Sequence, residues 1–258
     1  MIRVCSTKGG VGKTTIAVNL ATVLQLQGYN VLLVDEDSIN PCVGIYMGLQ
    51  DVPLGIFDVM KNKVDLKRAI VPHPSTGMHV LPGRLGYNEK SPTKKQIIRF
   101  FNELKTSGYD FVIVDTQPGI PFPDSLNSYD EALIIVRPSE ASNISALRMA
   151  REYSQRNLKV NAVANMIKGK KYELSLPEIQ EVAEVHVIAA LPEDENVLIS
   201  TTEHVPVYIY NKRSQFSKAI LDLANIYTSR VSFIKESPVE KGGGIFSKLK
   251  KSIKRRGS

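Results

Sequence analysis

The stretch Thr7-Lys8-Gly9-Gly10-Val11-Gly12-Lys13-Thr14-Thr15 stands between a short apolar run and an apolar segment of helical period, and no other part of the chain constrains the fold as much. Glycines in that order let the backbone curl until its N–H groups and the start of the helix converge on one point, a cradle for an anion. Lys13 is then placed to reach the β and γ phosphates of a nucleotide, and the Thr14 hydroxyl to ligate Mg²⁺. A strand, a phosphate loop and a helix in that order demand a βαβ unit. The remaining pattern supplies more of them.

Short apolar runs predict strands at 2–6, 30–34, 78–81, 111–114, 132–136, 160–165 and 186–189, each bounded by turn residues. Between them, helical periodicity predicts helices over about 13–27, 93–107, 142–156, 176–184 and 213–230. The alternation implies an α/β fold, a doubly wound and mainly parallel sheet flanked by helices, forming one domain over 1–234. In such a sheet ligands bind outside the carboxyl ends of the strands. The loops to inspect therefore follow residues 6, 34, 114, 136, 165 and 191.

Acids stand at two of those places, in Val34-Asp35-Glu36-Asp37 and in Val114-Asp115-Thr116-Gln117-Pro118-Gly119. Carboxylates at strand ends beside a phosphate loop can hold Mg²⁺, directly or through its water, and can orient an attacking water. The only cysteines, Cys5 and Cys42, form no C-x-x-C pair, which excludes a zinc or iron–sulfur cluster and a disulfide frame and fits a reducing cytoplasm. The start MIRVCSTKGG predicts no secretory leader, and no run of 18 apolar residues predicts a membrane span.

The common phosphate-loop pattern has glycine where this chain has Thr7, and Lys8 adds a second lysine. The resulting K-G-G-V-G-K-T-T resembles the deviant Walker A motif of the MinD/ParA family of P-loop ATPases. The resemblance implies an ATP hydrolase that is slow, requires Mg²⁺ and depends on dimerisation. Lys8 would reach across a nucleotide-sandwich homodimer to the partner's phosphates, as an arginine finger does. By the same resemblance Asp37 positions the hydrolytic water, Asp35 and Asp115 belong with Thr14 to the metal site, and Gly119 offers its N–H to the γ-phosphate. The family's base contacts map onto Asn165 and onto Pro192 and Glu193 in Leu191-Pro192-Glu193-Asp194. Lys8, Gly9, Gly10, Val11, Gly12, Lys13, Thr14 and Thr15 surround the phosphates.

The chain departs from the family at three places. Switch II carries Pro118, Pro121 and Pro123 within six residues, which stiffens it. Switch I, Ser38-Ile39-Asn40-Pro41-Cys42, is peculiar to this chain, and Met166 stands where many relatives have arginine. A further basic turn, Lys168-Gly169-Lys170-Lys171, reads as a solvated loop.

Charge is distributed unevenly. From Lys241 onward there are seven bases and no acid, while the other 26 bases balance the 26 acids of the chain, so the whole formal charge of +7 lies in the tail. On a helix of about 100° per residue, Ile245, Leu249, Ile253 and Phe246 fall within about 100° of each other. Lys248, Lys250, Lys251 and Lys254 lie on the remaining face. DNA would use the charge and waste the apolar stripe; docking on the chain's own core would use the stripe and waste the charge. An interfacial helix, with acyl chains on one side and anionic headgroups on the other, uses both. The expectation is a linker over 235–244 and a membrane-targeting helix over 245–256, as in the MinD branch of the family. That resemblance implies a cytoplasmic protein, peripheral on the inner membrane face, positioning a division or surface-structure component with a protein regulator or cargo. The alternative is a ParA-like partition ATPase that binds nonspecific DNA.

Overall fold

A computed structural model of the chain describes residues 1–37, 39–49, 52–84, 91–120 and 122–236, with side chains through residue 230. Eight strands form one sheet: β1 (Ile2–Cys5), β2 (Val31–Asp35), β3 (Val71–Pro72), β4 (His79–Leu81), β5 (Phe111–Asp115), β6 (Glu131–Val136), β7 (Lys159–Ile167) and β8 (His186–Pro192). Their spatial order is β3-β4-β2-β5-β1-β6-β7-β8. Every pairing is parallel except β3 with β4. Runs such as Val-Leu-Leu-Val-Asp in β2 and Phe-Val-Ile-Val-Asp in β5 are buried throughout, as strands covered by helices on both faces require.

The helices are α1 (Lys13–Leu26), α2 (Val43–Tyr46), α3 (Ile56–Met60), α4 (Leu66–Ala69), α5 (Lys94–Lys105), α6 (Glu140–Gln155), α7 (Leu176–Ala183), α8 (Glu195–Thr202), α9 (Val207–Tyr210) and α10 (Gln215–Glu236), with a 3-10 turn at Pro123–Ser128. Helix α1 packs on β1, β2 and β5. It is buried almost all round, from Thr15 to Leu24, and accordingly lacks an amphipathic pattern. Helix α5 has the opposite character. Thr93 and Gln96 form a capping box, which satisfies the first orphan N–H groups, while Ile97, Phe100, Phe101 and Leu104 lie at helical spacing and are buried. On that face of the sheet they join Cys5, Val34, Val114, Ile134 and Tyr153 in one core.

The long elements fall where the pattern predicts them. The short ones, α2, α3, α4, α8, α9 and β3, have no counterpart in the prediction. Residues Met1–Asn225 form one compact unit, and a second begins at Ile226. The expected domain end at 234 falls inside α10, which continues to Glu236. Residues 237–244 of the expected linker lie outside the described residues, as does the expected membrane helix with Ile245, Phe246, Lys248, Leu249, Lys250, Lys251, Ile253 and Lys254. No helix among the described residues is long and apolar enough to cross a membrane.

Candidate functional site: a phosphate loop beside a base-sized cavity

The turn from β1 into α1 depends on one glycine. Gly12 caps α1 with a φ of 93°, a left-handed conformation that only glycine adopts freely. A Cβ there would collide with Asn165 Nδ2, because that amide donates to Val11 O at 2.8 Å. Ser6 Oγ donates to Lys8 O at 2.6 Å and closes the other side of the loop. Lys13 is buried within this curl, whereas Lys8, Gly9 and Gly10 are exposed. The two lysines therefore have different reach, one committed to its own loop and the other facing outward.

The acids at the ends of β2 and β5 are register partners on neighbouring strands, Asp35 against Asp115. Asp35 is fully buried and accepts from the Asp37 amide (3.1 Å) and the Val43 amide (3.0 Å). Burial, and then the Asp115 charge, hold its carboxyl above the ordinary range. Asp115 accepts from Thr14 Oγ1 at 2.6 Å, and burial pushes its carboxyl up to about 7. Its other oxygen, Oδ1, is buried with no hydrogen-bond partner among the described residues. Two like carboxyls beside the hydroxyl of a phosphate loop, one oxygen of them orphaned, make a donor set that suits Mg²⁺. Among the described residues no three His, Cys, Asp or Glu side chains converge on a metal position. That is the usual condition of nucleotide-site magnesium, which takes one or two protein groups and completes its shell with phosphate and water.

Asp37, which is half-exposed, accepts from the Ile39 and Asn40 amides at 2.9 and 2.8 Å and so caps its own loop. The Gly119 amide differs from the expectation: it donates to Ser6 O at 2.8 Å. In this conformation it is already spent, and switch II would have to release that bond to meet a γ-phosphate. Gly83, after β4, presses on switch I so closely that a Cβ there would strike Pro41 and lie 3.2 Å from Asp35 Oδ2.

Beyond the loop lies a cavity of about 500 Å³ lined by Thr15, Asn165, Met166, Pro192, Glu193, Asp194, Val197, Leu198 and Phe216. Asn165, Pro192 and Glu193 are thus brought together, as their positions after β7 and in β8 and its loop imply. The Asn165 nitrogen is used on Val11 O, which leaves the side chain its carbonyl oxygen for a ligand. Met166 turns into the cavity wall at a φ of 59°. Asp194 escaped the sequence reading as a working residue. It accepts from the Asn196 amide (2.9 Å), Asn196 Nδ2 (2.6 Å) and the Phe216 amide (3.1 Å), tying α8 and the start of α10 to the loop after β8. Burial raises its carboxyl, and these hydrogen bonds more than reverse that, leaving it below its ordinary value. Leu198 and Phe216 left no sequence signal, since an apolar residue lining a cavity looks like one in a core.

A family model described as an AAA domain matches residues 1–161, more than half of the chain. The MinD subunit of the MinC:MinD cell division protein complex of Aquifex aeolicus is 28% identical, with a TM-score of 0.79 over 88% of this chain and 95% of its own. The chain belongs to the MinD/ParA family of P-loop ATPases. An ATP-binding protein of Methanocaldococcus jannaschii is 28% identical over 239 residues, 92% of this chain and 90% of its own length. The septum site-determining protein MinD of Pyrococcus horikoshii, solved with Mg-ADP, shares the fold at a TM-score of 0.82 and 24% identity, over 92% and 98% of the two chains. MinD/ParA membership agrees with the deviant phosphate loop and with the eight-stranded, largely parallel sheet.

Proposed function

We propose that this chain is an ATP-driven switch of the MinD type. ATP binding with Mg²⁺ joins two copies as a sandwich dimer, the paired C-terminal helices attach it to an anionic membrane surface, and hydrolysis releases it. The observation that carries the nucleotide part is the continuity of the site: Asn165 touches the phosphate loop through Val11 O and lines the base-sized cavity at the same time. A purine in the cavity would place its phosphates over Gly9 to Thr15. Lys13 and the loop amides would bind them, and Thr14 and Asp115, with Asp35 nearby, would hold Mg²⁺. The metal, when bound, offsets the charge that accumulates on the phosphoryl oxygens. Asp37 orients the attacking water, and the exposed Lys8 delivers its charge to the nucleotide of the partner copy.

The membrane part rests on the residues of 245–256. Such a short helix is marginal in water, and a few apolar side chains plus about 1 kcal/mol per base near anionic lipid roughly offset the cost of ordering it. One tail would hold weakly; two on one dimer gain effective concentration, a factor of about 10² or more. MinD relatives act in cell division, and a division or surface-structure component is the corresponding cargo.

Co-sedimentation with anionic liposomes, and separately with duplex DNA, tests this in ATP and in ADP. The full chain should pellet with lipid in ATP, and a chain ending at Lys241 should not; equal pelleting of both defeats the membrane role, and ATP-dependent DNA pelleting favours partition. Lys8→Ala should bind nucleotide normally and lose hydrolysis, whereas undiminished turnover removes Lys8 from the mechanism.

A further inference from the structure

Arg3 lies in the middle strand of the sheet and is fully buried, on the face otherwise formed by Cys5, Val34, Val114 and the aromatic side chains of the core. Its Nη1 donates to Glu36 Oε2 at 3.0 Å and to the Tyr129 hydroxyl at 3.3 Å, and its Nε donates to the Tyr153 hydroxyl at 3.2 Å. The guanidinium also sits 5.3 Å from the centre of the Tyr129 ring. Glu36 is equally inaccessible. Arg3 Nη2 and Glu36 Oε1 are buried with no hydrogen-bond partner among the described residues.

Stability does not call for such a pair. Apolar side chains of similar volume usually serve a core as well or better, because both ions must be desolvated. What distinguishes this pair is where its two ends are fixed. Arg3 is held in the centre of the sheet and by a phenol on α6. Glu36 stands at the opening of switch I, between Asp35 and Asp37, and its own amide donates to Asp115 O at 2.8 Å. Successive residues of an extended chain point to opposite faces, so a side chain anchored on one face fixes the direction of its neighbours on the other. Arg3 is the fixed end and Glu36 the tethered one.

We infer that Arg3 is a positioning residue for the nucleotide site. By holding Glu36 it fixes the backbone from which the Asp35 and Asp37 carboxylates project toward the metal and the attacking water. The inference rests on the ATPase reading for its purpose and on the sheet alone for its geometry.

The test is Arg3→Met combined with Glu36→Met, compared with wild type in three measurements: the urea midpoint, hydrogen exchange of the backbone amides at positions 36, 37 and 43 without nucleotide, and the Mg²⁺ concentration that half-saturates tight binding of a fluorescent ADP analogue. The double variant should keep its midpoint, exchange those amides about tenfold faster and need several-fold more Mg²⁺, while its ADP affinity in EDTA stays unchanged. Wild-type exchange and wild-type Mg²⁺ response in a folded double variant overturn the inference. Tyr129→Phe with Tyr153→Phe removes only the hydroxyls that steady Arg3, and should shift both readouts in the same direction by less; no shift overturns the inference even if the Met pair fails to fold. A wild-type protein indifferent to Mg²⁺ and ADP overturns the ATPase reading, and the exchange of the three amides still decides whether Arg3 orders switch I.

Discussion

Two pairs of buried charges meet at the carboxyl end of β2, one residue apart in sequence. Asp35 faces Asp115 on the neighbouring strand, like against like; Glu36 faces Arg3, opposite charges at 3.0 Å. The second pair cancels its own charge, although Arg3 Nη2 and Glu36 Oε1 each lack a hydrogen-bond partner among the described residues. The first does not: burial raises both of its carboxyls, as it raises that of Glu36, but the two face each other like against like, and Asp115 Oδ1 has no hydrogen-bond partner among the described residues. The protein carries the cost of two like carboxyls that a cation would balance, and it sets a charge-balanced pair directly behind them. A binding site and its support can thus be told apart by whether their charges cancel internally.

The sharpest way to break that contrast is to unbalance the charge-balanced pair. Glu36→Ala strands a buried guanidinium and should cost about 3–5 kcal/mol, whereas the Arg3→Met, Glu36→Met double variant should lie within about 1 kcal/mol of wild type; urea denaturation measures both. Next comes Asp115→Asn, which removes the like charge. In the unfolded chain Asp115 ionises near the ordinary carboxylate value of about 4, and in the folded, nucleotide-free protein at about 7. Its contribution to stability is therefore complete below about pH 4 and lost as pH rises through 7. Asp115→Asn should remove that loss and gain on the order of 2–4 kcal/mol over wild type at pH 8. Denaturation curves at pH 5 and pH 8 show it, and an advantage that fails to grow with pH refutes it. In wild type the same proton would compete with Mg²⁺, so Mg²⁺ affinity should rise from pH 6 to pH 8, and Asp115→Asn should reduce that rise. The smallest effect belongs to Arg151 with Glu184, a bidentate pair at 3.0 and 2.6 Å on the surface. Glu184→Gln should leave the melting temperature unchanged, because water screens exposed pairs.

These pairs also show how far the sequence could be read. The phosphate loop was legible because glycine spacing, two lysines and the change from strand to helix all point the same way. Asp35, Asp37 and Asp115 were legible as acids at strand ends beside it. Glu36 was hidden by that same reasoning, since a third acid in a run looks like another member of the run, and nothing local says that its partner lies at residue 3. Four- and five-residue helices such as α2 and α3 are too short for a period to appear, and the two residues of β3 are a strand only because β4 lies beside them. Asp194 shows the general limit: its partners, Asn196 and the Phe216 amide, are one nearby and one 22 residues away. Chemistry that depends on neighbours in sequence was readable; chemistry that depends on neighbours across the fold was not.

The first strand of the chain is the inner strand of the sheet, with Ile2 beside Ile113 of β5 and Glu131 of β6. A ribosome adding about 5–20 residues per second needs on the order of 6–25 s to deliver those neighbours. Through most of that interval the nascent chain displays a phosphate loop with no Asp115 to meet Thr14, and Asn165, which holds Val11, follows later still. Nucleotide competence is thus acquired late in synthesis, and a chain broken off before β5 would carry the loop most recognisable in its sequence with neither neighbour of β1 to shape it.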